Sequence, residues 1–138
     1  MKPSALIVSA VNWDTAFGLL SEFKRGLNDF LQILDTTYKG VPVIFRPGQY
    51  YCCRANMNKS GTGRRRLSRM RVFAFNKIML DALQKYDKNV KNWDIYSLGE
   101  GQFLQDIEEI MKCDSNHMTR DGVDLENQIL MNMLCPAK

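Results

Sequence analysis

Asp114 and His117 stand three residues apart in the stretch "DSNHMTRDGVDL" (114 to 125), and His117 is the only histidine of the 138-residue chain. An imidazole has the pKa that general-base chemistry near neutral pH requires, and a nearby carboxylate can orient it. The pair therefore indicates a base and its orienting group for a nucleophilic mechanism. The simpler alternative is that His117 is a surface residue of a loop. The same stretch holds two further carboxylates, Asp121 and Asp124.

Two further groups of polar residues follow the apolar runs of the first half of the chain. The first group is Asn12, Trp13 and Asp14, and the second is Arg46, Gln49 and Tyr50. Ligands of open parallel sheets bind where strands end and the next loops begin, so both groups are candidate site residues. The alternative for Asn12 and Asp14 is that they cap a helix that begins near residue 17.

The elements that would position these residues alternate along the chain. Short apolar runs with β-branched residues predict strands at 4 to 11, 41 to 48 and 92 to 100. Apolar residues at three- and four-residue spacing predict helices at 17 to 34, 64 to 86, 101 to 113 and 124 to 135. This order predicts a single α/β domain over residues 1–138 with a parallel sheet. Three strands are few for such a sheet, so a second copy or a further segment is expected to complete it.

Composition excludes several classes of protein. Apolar residues make up 45% and charged residues 25% of the chain, which is typical of a globular domain and not of a disordered one. No run of eighteen apolar residues predicts a membrane span, and the N-terminus does not read as a signal peptide. The four cysteines have no C-x-x-C spacing and the chain has one histidine, so we expect no structural zinc site. No motif predicts a cofactor, and none is expected.

The order of elements resembles the SGNH/GDSL-type esterases, and within them the PC-esterase branch. The motifs that carry the resemblance are "AVNWD" (10 to 14) after the first strand and "DSNH" (114 to 117) or "DGVD" (121 to 124) before the last helix. The resemblance implies a parallel three-layer sandwich of SGNH or flavodoxin-like type that lacks its first strand and helix. It also implies hydrolysis or transfer of an acyl group on an oxygen ester, with O-acetylated carbohydrate as a substrate class.

The resemblance also implies roles for the early polar residues, in two alternative registers. In one register Asn12 donates its side-chain amide to the oxyanion of the transition state. In the other, shifted by one residue, Trp13 and Asp14 match the family motif instead. In either register, the residues after the second strand are expected to contact the substrate: Arg46, Gln49 and Tyr50.

The stretch before the last helix, residues 114 to 125, also matches the family motif in two alternative registers. In the first, Asp114 orients His117 as the general base. In the second, Asp121 is the orienting carboxylate and Asp124 occupies the position of the histidine, although the pKa of an aspartate lies about two units lower. The simpler alternative for Asp124 is the N-cap of the terminal helix.

The chain has no counterpart of the Gly-Asp-Ser block that supplies the nucleophilic serine in this family. We therefore expect a chain that is incomplete or inactive as an esterase, because an N-terminal segment is missing or because the chain is a non-catalytic relative that only binds. The resemblance implies the secretory pathway, the Golgi lumen or the extracellular space. In such a compartment Cys52 or Cys53 would bridge to Cys113 or Cys135.

A third hypothesis comes from the basic stretch at residues 64–71, "RRRLSRMR", which holds much of the net charge of +4. Such a stretch can neutralise phosphates and predicts a polyanion-binding or nucleic-acid-binding module. The alternative is that these arginines form the solvated start of a helix.

Overall fold

A computed structural model describes residues 2–49, 69–97 and 120–135. These ranges hold three strands, β1 (Leu6–Val8), β2 (Val43–Phe45) and β3 (Lys91–Asn92). They also hold four helices, α1 (Val11–Phe17), α2 (Leu20–Thr37), α3 (Arg69–Tyr86) and α4 (Arg120–Leu134). The backbone of residues 95–97 is helical as well.

The three strands form one parallel sheet in the order β1, β2, β3. Leu6 lies opposite Val43, and Phe45 lies opposite Asn92. Helices connect consecutive strands, as parallel pairing requires, because the chain must return to the same end of the sheet before each new strand. The prediction of an α/β chain with a parallel sheet is confirmed. All three strands end at the same edge, which we call the carboxyl edge.

Helices α2 and α3 cover one face of the sheet. Val43 and Phe45 of β2 point to this face and pack in one buried cluster with residues of both helices. The helical members recur at three- and four-residue spacing, which turns one side of each helix to the sheet. They are Phe23, Leu27 and Leu34 of α2, and Phe75, Met79 and Leu83 of α3.

Ile44, between Val43 and Phe45 on β2, points to the opposite face of the sheet. There it packs with Trp93 and Ile95, and Ile129, Leu130 and Met133 of α4 lie against this smaller cluster. Because successive side chains of a strand point to opposite faces, the run Val43–Phe45 is buried on both faces. Above β1 this face is less covered, and Ile7 is exposed.

The predicted first strand and the loop after it are wrong in their bounds. Strand β1 ends at Val8, and residues 12 to 17 belong to helix α1, not to a loop. Val11 is the first residue of α1, and its fully buried side chain packs in the core cluster from this position. The helix predicted to begin near residue 17 is α2, and its N-cap is Leu19. Asn12 and Asp14 lie inside α1, so their predicted capping role is also wrong.

The predicted third strand is wrong over most of its described positions, because only Asn92 is in a strand and residues 95–97 are helical. Strand β3 is only Lys91–Asn92, and Asp94 then starts a helical turn by accepting hydrogen bonds from the Ser97 amide at 3.1 Å and from its hydroxyl at 2.7 Å. The terminal helix begins at Arg120 instead of residue 124. Asp124 therefore lies inside α4, and its predicted N-cap role is wrong.

Candidate functional site

The segment that follows β2 is buried, although it is a loop. Pro47, Gly48 and Gln49 all lie in the interior at the carboxyl edge. Buried backbone groups need hydrogen-bond partners, and Asn76 of α3 supplies two of them. Its side chain accepts from the Gly48 amide and donates to the Gly48 carbonyl, both at 2.7 Å. This two-point contact holds the loop against α3.

Gly48 allows the loop to approach the start of α1 closely. A Cβ atom at this position would lie 2.6 Å from Oδ1 of Asn12 and 2.8 Å from Cγ1 of Val11. Both distances are shorter than non-bonded atoms allow, so any side chain would push the loop away from α1. The glycine thus brings the backbone of Gln49 within reach of Asn12.

Asn12, near the start of α1, accepts a hydrogen bond from the Gln49 amide at 3.0 Å. An N–H group can only donate, so the side-chain atom that faces it is the oxygen Oδ1. The carboxamide nitrogen Nδ2 is turned the other way, and it has no acceptor within the described part of the chain. Asn12 is half-buried at the carboxyl edge, and it therefore presents an oriented donor there.

Gln49 extends its side chain towards the face of the sheet that α4 covers. Its Nε2 donates to the carbonyl of Ile95 at 3.2 Å and, in a short contact, to Oε1 of Glu126. Because both partners are acceptors, the orientation of the carboxamide is determined. Its oxygen Oε1 is buried and has no partner among the described residues. An unpaired buried acceptor costs about 1–3 kcal/mol.

Glu126 brings a carboxylate into the interior and pairs it with Arg46. The Arg46 Nη2 atom lies 2.8 Å from Oε2 of Glu126, whose side chain is only 4% exposed. The Arg46 guanidinium also lies over the Trp93 ring, 5.5 Å from its centroid. A buried carboxylate is tolerated only when it is paired and hydrogen-bonded, and here Arg46 and Gln49 engage both of its oxygens.

These contacts join residues from every layer of the described structure into one group. We call it the carboxyl-edge cluster, and it consists of Asn12, Arg46, Gln49, Asn76 and Glu126. Three members were candidate residues in the sequence, namely Asn12, Arg46 and Gln49. Asn76 and Glu126 were missed. Each is a polar residue on the inward face of an amphipathic helix, a signal that the sequence carries.

Trp13 and Asp14 lie on α1 outside these contacts. Trp13 is 76% exposed and stacks on Phe17, with ring centroids 5.2 Å apart. Partial burial raises the pKa of the Asp14 carboxyl above its ordinary value, and a backbone hydrogen bond partly offsets this rise. Of the two alternative registers, the structure brings Asn12 into the cluster and leaves Trp13 on the surface.

The structure describes only some of the remaining candidate residues, most of which belong to the stretch 114 to 125. Asp124 is exposed on α4, on a different side of the helix from buried Glu126. The backbone of Asp121 lies in the first turn of α4, and its side chain is outside the described part. Asp114, His117 and Tyr50 fall outside the described residues, so their roles stay predictions.

Arg71, the last residue of the basic stretch, contacts α1. Its Nε donates to the Thr15 carbonyl at 2.7 Å and its Nη2 donates to the Gly18 carbonyl. Its guanidinium lies over Phe75, 4.8 Å from the ring centroid. A cation at these carbonyls stabilises the C-terminal end of α1. The described contacts of Arg71 are thus structural, and residues 64–68 lie outside the described part.

The remaining sequence predictions concern metals, cysteines and membranes. Residues 2–49, 69–97 and 120–135 contain no group of three or more His, Cys, Asp or Glu side chains that could hold a metal ion. Cys135 is an exposed free thiol, and the other three cysteines lie outside these ranges. Within the same ranges, no helix combines the length and apolarity needed to cross a bilayer.

Comparisons of the chain with models of known protein families, with curated proteins and with solved structures found no match.

Proposed function

We propose that this chain is a relative of the SGNH-type ester hydrolases and that its carboxyl edge binds the carbonyl oxygen of an ester. One observation carries the proposal: the Asn12 carboxamide is held by the Gln49 amide at 3.0 Å, so that Nδ2 is directed away from the loop without a described acceptor. An amide donor that is fixed before the ligand arrives is what oxyanion stabilisation requires, because no reorganisation is needed during the reaction.

The chemistry that follows is addition to an ester carbonyl. As the nucleophile attacks, negative charge develops on the carbonyl oxygen, and the Asn12 N–H stabilises that charge more strongly than it stabilises the neutral ester. Because the chain has no counterpart of the family's serine block, the nucleophile of the proposed reaction is water. His117, oriented by Asp114, is proposed as the general base that takes a proton from this water and returns it to the alcohol oxygen as the ester C–O bond breaks, so that the products are the acid and the free alcohol. This pair is chosen over the alternative pair of Asp121 and Asp124 because Asp124 lies on a different side of α4 from Glu126, which belongs to the carboxyl-edge cluster.

The finer fold assignment is part of the same proposal. A three-layer sandwich is supported by the packing of α2 and α3 on one face of the sheet and of α4 on the other. In this arrangement Asn12, Arg46 and Gln49 lie at the carboxyl edge, where open α/β sheets bind their ligands.

Hydrolysis of aryl acetates and of O-acetylated sugars by the full chain tests this proposal. Asn12→Ala is expected to lower kcat/KM by about 10² to 10³, the usual effect of losing one oxyanion donor. His117→Ala is expected to abolish turnover. Asn28→Ala is the matched control, because Asn28 is an exposed asparagine of α2. Equal rates for the wild-type protein and Asn12→Ala would contradict the proposed role of Asn12.

A second candidate function is binding of an ester or acyl group without turnover. The observation that favours it is the composition of the carboxyl-edge cluster, whose described members are amides, a guanidinium and a carboxylate. None of them is a serine, cysteine or histidine. Calorimetry with the same esters separates the two functions. Saturable heat without release of alcohol supports binding alone, whereas steady release of alcohol in wild type, lost in His117→Ala, contradicts it.

A further inference from the structure

We propose that Glu126 is a positioning residue, which acts through Gln49 to fix the direction of the Asn12 carboxamide. The inference rests on the proposed function, because it assigns to Asn12 the group that meets the ligand. It adds a residue whose side chain does not itself contact Asn12 and which the sequence motifs did not indicate.

The contacts run without a gap from Glu126 to Asn12. Oε1 of Glu126 accepts from the side-chain amide of Gln49, and the backbone amide of the same residue donates to Oδ1 of Asn12. Both bonds involve one residue, so anchoring its side chain limits the directions in which its backbone N–H can point. A change at Glu126 is therefore expected to reach Asn12 through Gln49.

Docking of α4 on the sheet does not require a carboxylate at position 126. Ile129, Leu130 and Met133 already supply apolar contacts to the same cluster. The Trp93 indole donates to the backbone carbonyl of Glu126 at 3.0 Å, a bond that any residue at this position would accept. A buried ion pair is often no more stabilising than an apolar replacement, so the charge has a more specific use.

That use is to determine the orientation of Gln49. The carboxylate and the Ile95 carbonyl are both acceptors, so Nε2 of Gln49 must face them, and its buried Oε1 is left without a described partner. An apolar side chain at position 49 would avoid the unpaired oxygen. If Gln49 and Glu126 served only to pack α4 on the sheet, apolar residues would do so at a lower cost. The polar pair is explained if the direction of the residue 49 backbone matters.

Glu126→Gln removes the charge at nearly constant size. The new side chain has one acceptor oxygen for two donors, Arg46 and Gln49. Its NH₂ group must therefore face one of these donors, and that hydrogen bond is lost. Asp124→Asn is the matched control, because it removes one carboxylate from an exposed position of the same helix. Neither variant alters Asn12 itself.

The test is NMR on the ¹⁵N-labelled full chain. In Glu126→Gln, we expect the backbone amide of residue 49 to exchange with solvent about tenfold faster. This factor is about what the loss of the hydrogen bond between the Gln49 side chain and the charged carboxylate of Glu126 would give. The side-chain NH₂ signals of Asn12 should shift as well. The Trp93 indole, which reports on α4 docking, should keep its wild-type shift. Asp124→Asn should leave all three signals unchanged.

Wild-type exchange at residue 49 and wild-type Asn12 signals in Glu126→Gln would overturn the inference. If the Trp93 indole is also lost, because α4 has left the sheet, Gln49→Met decides. This variant keeps the length of the side chain and removes only its anchor, so a shift of the Asn12 signals supports positioning and unchanged signals reject it. The ester assay of Asn12→Ala is independent of these readouts, so failure of the proposed function would be recognised separately.

Discussion

Asn76→Ala is expected to be one of the most destabilising substitutions at the carboxyl edge. It removes both partners of Gly48, whose amide and carbonyl each bond to the Asn76 side chain at 2.7 Å. Asn76 is only 8% exposed, so water reaches the two backbone groups poorly. Each unpaired buried group costs about 1–3 kcal/mol, which gives a loss of about 2–6 kcal/mol from a total stability of about 5–15 kcal/mol.

Urea unfolding followed by circular dichroism measures this loss directly. The midpoint should fall while the slope stays constant, because the surface exposed on unfolding hardly changes. Asn28→Ala, at an exposed position of α2, is the control and should change the stability by less than about 0.5 kcal/mol. If Asn76→Ala were as stable as this control, the two-point contact would not hold the loop against α3.

Three further predictions concern neighbouring positions. Gly48→Ala should destabilise by about 1–3 kcal/mol in the same urea assay, because its Cβ would lie 2.6 Å from Oδ1 of Asn12, and wild-type stability would contradict this close approach. Arg71→Lys should lose nearly as much stability as Arg71→Ala, because one ammonium cannot replace the fork that bonds the carbonyls of both Thr15 and Gly18, and full stability of the lysine variant would reject this role at the end of α1. Burial raises the pKa of Asp14 in the folded state, so its charged form opposes folding at neutral pH, and this penalty disappears as the pH falls below the unfolded pKa. The Tm of Asp14→Asn should therefore be higher than that of the wild type at pH 7, and the difference in Tm should shrink in acid. A difference that stays constant with pH would contradict the raised pKa of Asp14.

The parallel sheet was predictable because its signal is local. The run Val43–Phe45 is buried on both faces, and such strands appear in a sequence as continuous apolar runs. Helix α2 was predictable for the same reason, since its apolar residues repeat at helical spacing. The strand ends were not predictable, because they depend on tertiary contacts such as the burial of Val11 in the core.

The candidate site was predictable by position and only partly by residue. Rules about sheet edges selected Asn12, Arg46 and Gln49, which do meet at the carboxyl edge. Glu126 was missed because the motif indicated Asp121 and Asp124, whereas helix geometry turns Asp124 to solvent and Glu126 inward. The useful signal was a carboxylate on the apolar side of α4, since a buried charge demands a partner.

The Asn12 carboxamide is proposed to bind the ester oxygen on which negative charge develops. The most direct measurement is the affinity of the full chain for a phosphonate that mimics the tetrahedral oxyanion, determined by calorimetry for the wild-type protein, Asn12→Ala and Asn28→Ala. We expect Asn12→Ala to bind the phosphonate at least about tenfold more weakly, because one hydrogen bond to a charged group is lost, and Asn28→Ala to bind it like the wild type. Equal affinity for the wild-type protein and Asn12→Ala would contradict this role of Asn12.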